Sequence, residues 1–216
     1  MRWRVDRVDP SIQTSSAAEK ILLVRPDHLG DVLLTTPALH ALRRGRPEAH
    51  ISLVVGSWSA GLLRGNPDVD EVIVCDLPWL ARSGGGNWAA LLSTLRQLRA
   101  WRFDRIVSFR VAAKAACFSR LCGGGQRWGF DVAKSRWAWT HRVPYDWHGH
   151  VVDNYMELVK AIGAEPMPPR FRLFPETADQ SAVAAFVDDT PIVVLGVTAG
   201  HADKFWLPER WAAVGD

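Results

Sequence analysis

The residue best placed for chemistry is a single carboxylate, Asp31. The run Lys20 to Arg25 (Lys-Ile-Leu-Leu-Val-Arg) reads as a short buried strand and Pro26 to Leu29 as a tight turn. Gly30 and Asp31 then open a helix with apolar positions at Val32, Leu33, Leu39 and Leu42, ending around Arg43 to Pro47. A carboxylate just past the carboxyl end of a strand stands where open α/β sheets bind ligands, because side chains and free helix N–H groups converge on that edge. Electrostatics alone also accounts for an acidic first turn, which offsets the helix dipole by about 0.3–1 kcal/mol. Position by itself does not separate the two. A second charged candidate, Lys204, lies in the loop Thr198 to Lys204 after a buried run, Pro191 to Val197. Alone, it reads as a solvated loop lysine.

Other chemistries find less support. Cys75, Cys117 and Cys122 are odd in number and lack Cys-x-x-Cys spacing, so they read as thiols in a reducing compartment. His148 and His150 are two residues apart, do not share a helix face and have no third ligand at a fixed spacing, which argues against zinc. Gly84, Gly85 and Gly86 belong to an expected loop over 81–86, with no strand directly before it and no Gly-Lys-Ser/Thr after it, so a P-loop is excluded. Pro26 to Asp31 contains one glycine where a nicotinamide-binding turn needs Gly-x-Gly-x-x-Gly.

The elements that must hold these residues alternate. Strands are expected at 49–55, 71–75 and 104–109, and helices at 56–63, 88–101 and 111–121. Leu91, Leu92, Leu95 and Leu98 run at helical spacing with Arg96, Arg99 and Arg102 between them. Residues 135–147 read as a loop rich in Trp, Tyr and Arg, and a helix runs from His148 to Ile162. The fold class is α/β: a Rossmann-like, doubly wound parallel sheet followed by the start of a second Rossmann-like domain. The expected organisation is a loose tail at 1–19, a first domain at 20–163, a proline-rich linker at 164–175 and a truncated second domain at 176–216. The second domain is expected to contain a helix over 178–187, the strand 191–197 and a helix opened by Pro208.

Composition is ordinary for a globular chain, with 48% apolar and 23% charged residues, but charge is unevenly spread. Residues 1–170 hold 23 Lys/Arg against 16 Asp/Glu, a balance of +7, while 171–216 hold 3 against 7, a balance of −4. The basic portion suits an anionic partner: a phosphate, a sugar acid or a membrane surface. No run of about 18 uncharged apolar residues exists and the first 19 residues lack an apolar signal core, which predicts a cytoplasmic chain.

The stretch Gly30-Asp31-Val32-Leu33-Leu34-Thr35-Thr36-Pro37-Ala38-Leu39, with Arg25 before it, resembles the N-terminal signature of glycosyltransferase family 9, the lipopolysaccharide heptosyltransferases and their relatives. Arg127-Trp128-Gly129 resembles that family's Arg-x-Gly stretch, and His150 and Tyr155 its His-x-x-x-x-Tyr element. Thr198, Lys204, Trp206, Pro208 and Glu209 resemble its second signature, here with Leu207 inserted between Trp206 and Pro208. The resemblance covers about residues 20–213 and implies a GT-B enzyme that inverts configuration without a metal or other cofactor. It implies Asp31 and Lys204 as catalytic residues: Asp31 is the general base, and Lys204, helped by Thr198, stabilises the departing diphosphate. It implies Arg25, Gly30, Thr35, Thr198 and Arg127 in substrate binding. The implied donor is a nucleotide sugar, ADP-heptose. The implied acceptor is an anionic glycolipid of the lipopolysaccharide core, with peripheral contact at the cytoplasmic face of the inner membrane and no nucleic-acid partner. Because most of the donor domain is missing from this reading, residues 1–216 alone are expected to be inactive. The rival is a non-catalytic module that binds anionic ligands or nucleic acid through the basic helix near Arg96 and the aromatic loop.

Overall fold

A computed structural model describes residues 18–78, 87–184, 186–187, 191–199 and 202–215. Most of the expected tail and the whole of the 81–86 loop lie outside the described residues. The chain divides into two compact units, 1–174 and 175–216.

The first unit is a six-stranded, wholly parallel sheet: β1 (Lys20–Val24), β2 (His50–Val55), β3 (Glu71–Val74), β4 (Arg105–Ser108), β5 (Gln126–Phe130) and β6 (His141–Val143). Its spatial order is β3-β2-β1-β4-β5-β6. The winding direction therefore reverses between β1 and β4, and a crevice opens at the carboxyl ends of those two strands. Strand β1 alternates its side chains between two cores. Ile21 and Leu23 face Leu39 and Leu42 of α2 (Thr36–Gly45) and Tyr155, Leu158 and Val159 of α5 (Val151–Lys160). Leu22 and Val24 face Leu91, Leu95 and Leu98 of α3 (Trp88–Ala100) and Phe118 of α4 (Ala113–Leu121). Burial on both faces explains why β1 and β2 are nearly continuous apolar runs.

Three local differences from the sequence reading have physical causes. The first helix is two helices: α1 (Leu29–Leu33) carries Asp31, and α2 begins at Thr36. Pro37 sits in the first turn of α2, where its ring and missing N–H would break a continuous helix at Leu33. Two hydroxyls take up carbonyls at the break, Thr35 Oγ1 donating to Val32 O at 2.6 Å and Thr36 Oγ1 to Leu33 O at 2.8 Å. Next, Gln126–Phe130, which carried no assigned element, forms β5, and His141–Val143, inside the expected 135–147 loop, forms β6. Last, Leu92 is 53% exposed although it falls in the apolar run of α3.

The second unit contains α6 (Thr177–Ala184), a short 3-10 turn at Ala202–Lys204 and α7 (Pro208–Gly215), opened by its proline as expected. The expected buried strand over 191–197 does not form: residues 191–199 are irregular, and Val193 and Val194 are exposed. A strand needs a neighbour for its ladder, and no other strand occurs among the described residues of this unit.

Candidate active site

Arg25 extends β1 by one residue, its N–H donating to Val54 O at 2.9 Å, and its side chain turns under the loop that follows. The guanidinium is nearly sealed, with its side chain 6% exposed. Its Nη2 donates to Asp31 Oδ1 at 3.0 Å and its Nη1 to the Phe109 carbonyl, at the end of β4, at 3.2 Å. Its Nη1 is also 3.6 Å from Asp27 Oδ2, and its Cζ lies 5.1 Å from the centre of the Tyr155 ring. Two carboxylates, a carbonyl and an aromatic face together compensate a charge that burial would otherwise penalise by several kcal/mol.

The loop is held from several sides. Asp27 N donates to Arg25 O across Pro26, and Asp27 Oδ1 accepts from His28 N. The Asp27 carbonyl accepts from Trp58 Nε1 at 2.8 Å and Ser59 Oγ at 3.0 Å. Gly56 permits this clamp, because a Cβ there would stand 2.4 Å from the Trp58 ring. Arg110, next along from Phe109, places Nη1 3.3 Å from Asp27 Oδ2, so Asp27 lies between two guanidinium groups. Burial pushes the Tyr155 hydroxyl up to about 12, against a smaller opposing pull from Arg25.

Asp31 itself is different. Its side chain is 38% exposed, with one oxygen fixed by Arg25, in the loop and short helix that follow the carboxyl end of β1. Beside it, Gly30 is exposed, and nothing lies within 4 Å of where a Cβ would project. Arg25, Gly30 and Asp31 are thus brought together at the ligand-binding edge of the sheet.

Not every expected site residue opens to solvent at that edge. Arg25 is nearly sealed, with its guanidinium engaged by Asp31, Asp27 and the Phe109 carbonyl. Thr35 is fully buried, with its hydroxyl donating to Val32 O at the helix break. Arg127 pairs in register with Ile106 toward the amino ends of the strands, away from Asp31. Its Nε donates to Ala138 O at 2.9 Å and its Nη1 to Gly124 O at 3.4 Å, tying β5 to the turn before β6. In the second unit Thr198 and Lys204 are both exposed. His150 caps α5, its Nδ1 accepting from Val152 N at 3.3 Å. Among the described residues no three His, Cys, Asp or Glu side chains converge as a metal site would need.

Asp27, Tyr155 in its role under Arg25, Arg110 and the Phe109 carbonyl were not legible as site components. The available signal was the strand order: once β4 neighbours β1, the residues ending β4 must border those ending β1.

This Rossmann-like sheet, with a carboxylate at its switch point, is one half of a GT-B-type glycosyltransferase architecture. Residues 91–216 match the model of glycosyltransferase family 9 (heptosyltransferase), and the chain belongs to that family. It is 24% identical over 207 residues to the lipopolysaccharide core heptosyltransferase OpsX of Haemophilus influenzae, a match covering 94% of this chain and 57% of the relative. Its fold is similar to the glycosyltransferase family 9 structure from Veillonella parvula, with TM-score 0.76 and 23% identity over 92% of this chain and 59% of the other. It is also similar to the E. coli heptosyltransferase WaaC solved with ADP-2-deoxy-2-fluoro heptose, with TM-score 0.67 and 20% identity over 90% and 64% of the two chains. The chain thus spans less than two thirds of the length of each of these relatives.

Proposed function

We propose that this protein transfers a heptose, with inversion and without a metal, from ADP-heptose to an anionic glycolipid acceptor of the lipopolysaccharide core. The observation that carries the reading is the Asp31 carboxylate, half open to solvent, aimed by a buried guanidinium and standing beside bare glycine backbone. Family membership supports the reaction class, and the sugar nucleotide bound to the E. coli relative supports the donor.

In this mechanism Asp31 takes the proton of an acceptor hydroxyl as that oxygen bonds to the anomeric carbon. The bond from the anomeric carbon to the diphosphate oxygen breaks on the opposite face, and ADP departs with the electron pair. Lys204 and Thr198 donate to the departing diphosphate, supplying the positive charge that a metal supplies in other transferases. Arg25 acts through Asp31 by keeping one carboxylate oxygen occupied and the other aimed outward. The acceptor's carboxylates and phosphates suit the +7 balance of residues 1–170. A glycolipid acceptor places the protein peripherally on the cytoplasmic side of the membrane.

The test is a thermal-shift panel of nucleotide sugars on the full-length protein, followed by turnover assays with and without chelator. ADP-heptose should give the largest shift. Asp31→Asn should keep that shift while turnover falls by about 10²–10⁴. Lys204→Ala should lower turnover, and chelator should leave it unchanged. Undiminished turnover in Asp31→Asn removes Asp31 from its role, and loss of activity in chelator removes the metal-free mechanism.

A further inference from the structure

Acidic residues nearly vanish from one stretch of the chain: between Asp76 and Asp131 there are nine Lys and Arg and a single acid, Asp104. That stretch builds α3 and α4, which cover the same face of the sheet through Leu91, Leu95, Leu98 and Phe118. Neither helix contains an acidic residue. Their outward sides expose Arg96, Arg99, Lys114 and Arg120, with Arg102 exposed just beyond α3. On α3, positions 88, 92, 96 and 99 fall on one side of the helix, so Trp88 and Leu92 form an apolar half-stripe that continues into Arg96 and Arg99. Trp88 is 61% exposed, Leu92 53%, and Leu121 at the end of α4 44%. Arg99 Nη1 reaches Leu121 O at 3.5 Å, which joins the ends of the two helices into one surface. On the sheet's other face α5 exposes Asp153 and Glu157 together with Lys160.

Arginines in the last turns of α3 and α4 offset the helix dipoles, but one cation per helix serves that purpose. The dipoles do not account for Lys114 at the start of α4 or for three large apolar side chains facing water. Clustered cations around outward Trp and Leu are what an anionic lipid surface recognises: cations pair with headgroup phosphates, and apolar side chains enter the headgroup boundary. A nucleic-acid backbone would use the arginines and leave both leucines idle.

We propose that the outward face of α3 and α4 seats this protein on an anionic phospholipid bilayer. The proposal rests on the reading that the acceptor is a glycolipid, and it names the surface that meets the membrane. In a parallel crossover the helix leaves the carboxyl edge and runs back, so Trp88 and Leu92 occupy the end of α3 nearer the edge that carries Asp31. A protein seated this way keeps its carboxylate close to lipid-borne sugars.

The test is co-sedimentation of the full-length protein with acceptor-free vesicles of phosphatidylcholine, with and without phosphatidylglycerol. Wild-type protein should bind only the anionic vesicles and release as salt rises. Arg96→Glu with Arg120→Glu should weaken partition by at least about tenfold. Leu92→Ser with Leu121→Ser should lower the fraction retained at high salt. All four positions are exposed, and unchanged melting temperatures check that the variants fold. Turnover on a lipid-free acceptor sugar should be unaffected in both variants, which separates failure of this surface from failure of the transferase reading. Equal binding to neutral vesicles, full binding by the charge-reversed variant, or displacement from vesicles by an equimolar oligonucleotide overturns the proposal.

Discussion

Arg25 Nη2 lies 3.0 Å from Asp31 Oδ1, and the two side chains sit on opposite sides of the solvent boundary, one nearly sealed and the other 38% exposed. The pair is therefore asymmetric: the hidden cation fixes the direction of the carboxylate, and the carboxylate alone is open to solvent. Arg25→Lys keeps the charge but loses the planar fork that reaches Asp31, the Phe109 carbonyl and Asp27 together. We expect turnover to drop by one to two orders of magnitude, with the donor KM nearly unchanged and stability lower by roughly 2–4 kcal/mol. A rise in KM with kcat intact would show instead that Arg25 grips the substrate.

Thr35→Val tests the placement of a residue that the family signature implies in substrate binding. Its hydroxyl is buried on the Val32 carbonyl, so the variant should lose about 1 kcal/mol in denaturant unfolding while its donor and acceptor KM values stay at wild-type levels. A selective KM increase at unchanged stability would return Thr35 to the substrate.

Gly30→Ala separates space for folding from space for a ligand. No atom within 4 Å obstructs the new methyl group, and alanine suits a helix better than glycine by up to about 1 kcal/mol. We expect an equal or higher melting temperature combined with weaker substrate binding, read by titration calorimetry. Unimpaired binding would show that substrates keep clear of this backbone.

Tyr155 supplies a pH signature. Its hydroxyl, pushed up to about 12 by burial, stays protonated in the fold where an unfolded chain titrates near 10. Between those values the unfolded state binds fewer protons, so stability is intact below pH 10 and falls as pH climbs toward 12, by at most roughly 2–3 kcal/mol. Cys75, raised to about 11, adds a similar fall from pH 9. Tyr155→Phe keeps the aromatic face under Arg25 and should remove only the later part of the decline, seen as the difference between the two unfolding curves. Superimposed curves at pH 11 would place the hydroxyl in water.

The legibility of this chain follows the range of the forces involved. The β1 run and the acidic turn after it are local signals, and Arg25, Gly30 and Asp31 stand together within a seven-residue arc because one tight turn links them. The break before α2 was hidden, since Val32, Leu33, Leu39 and Leu42 keep a helical rhythm across Pro37. Strands β5 and β6 were hidden because five and three residues containing Trp, Gly and His carry little periodicity; their pairing with β4 and with each other defines them. The run 191–197 misled in the other direction, as apolar composition alone cannot supply a neighbouring strand. Tyr155 could be placed under Arg25 only through the packing of α5 against the sheet, 130 residues away in sequence.

The interruption at Leu34 and Thr35 also bears on how such a chain can change. Because α2 is embedded in the core and α1 is a five-residue stub ahead of it, the angle of the stub is set at a break where Val32, Thr35, Thr36 and Pro37 are all buried. Re-aiming the carboxylate therefore disturbs core packing as well, so its direction and the stability of the scaffold change together.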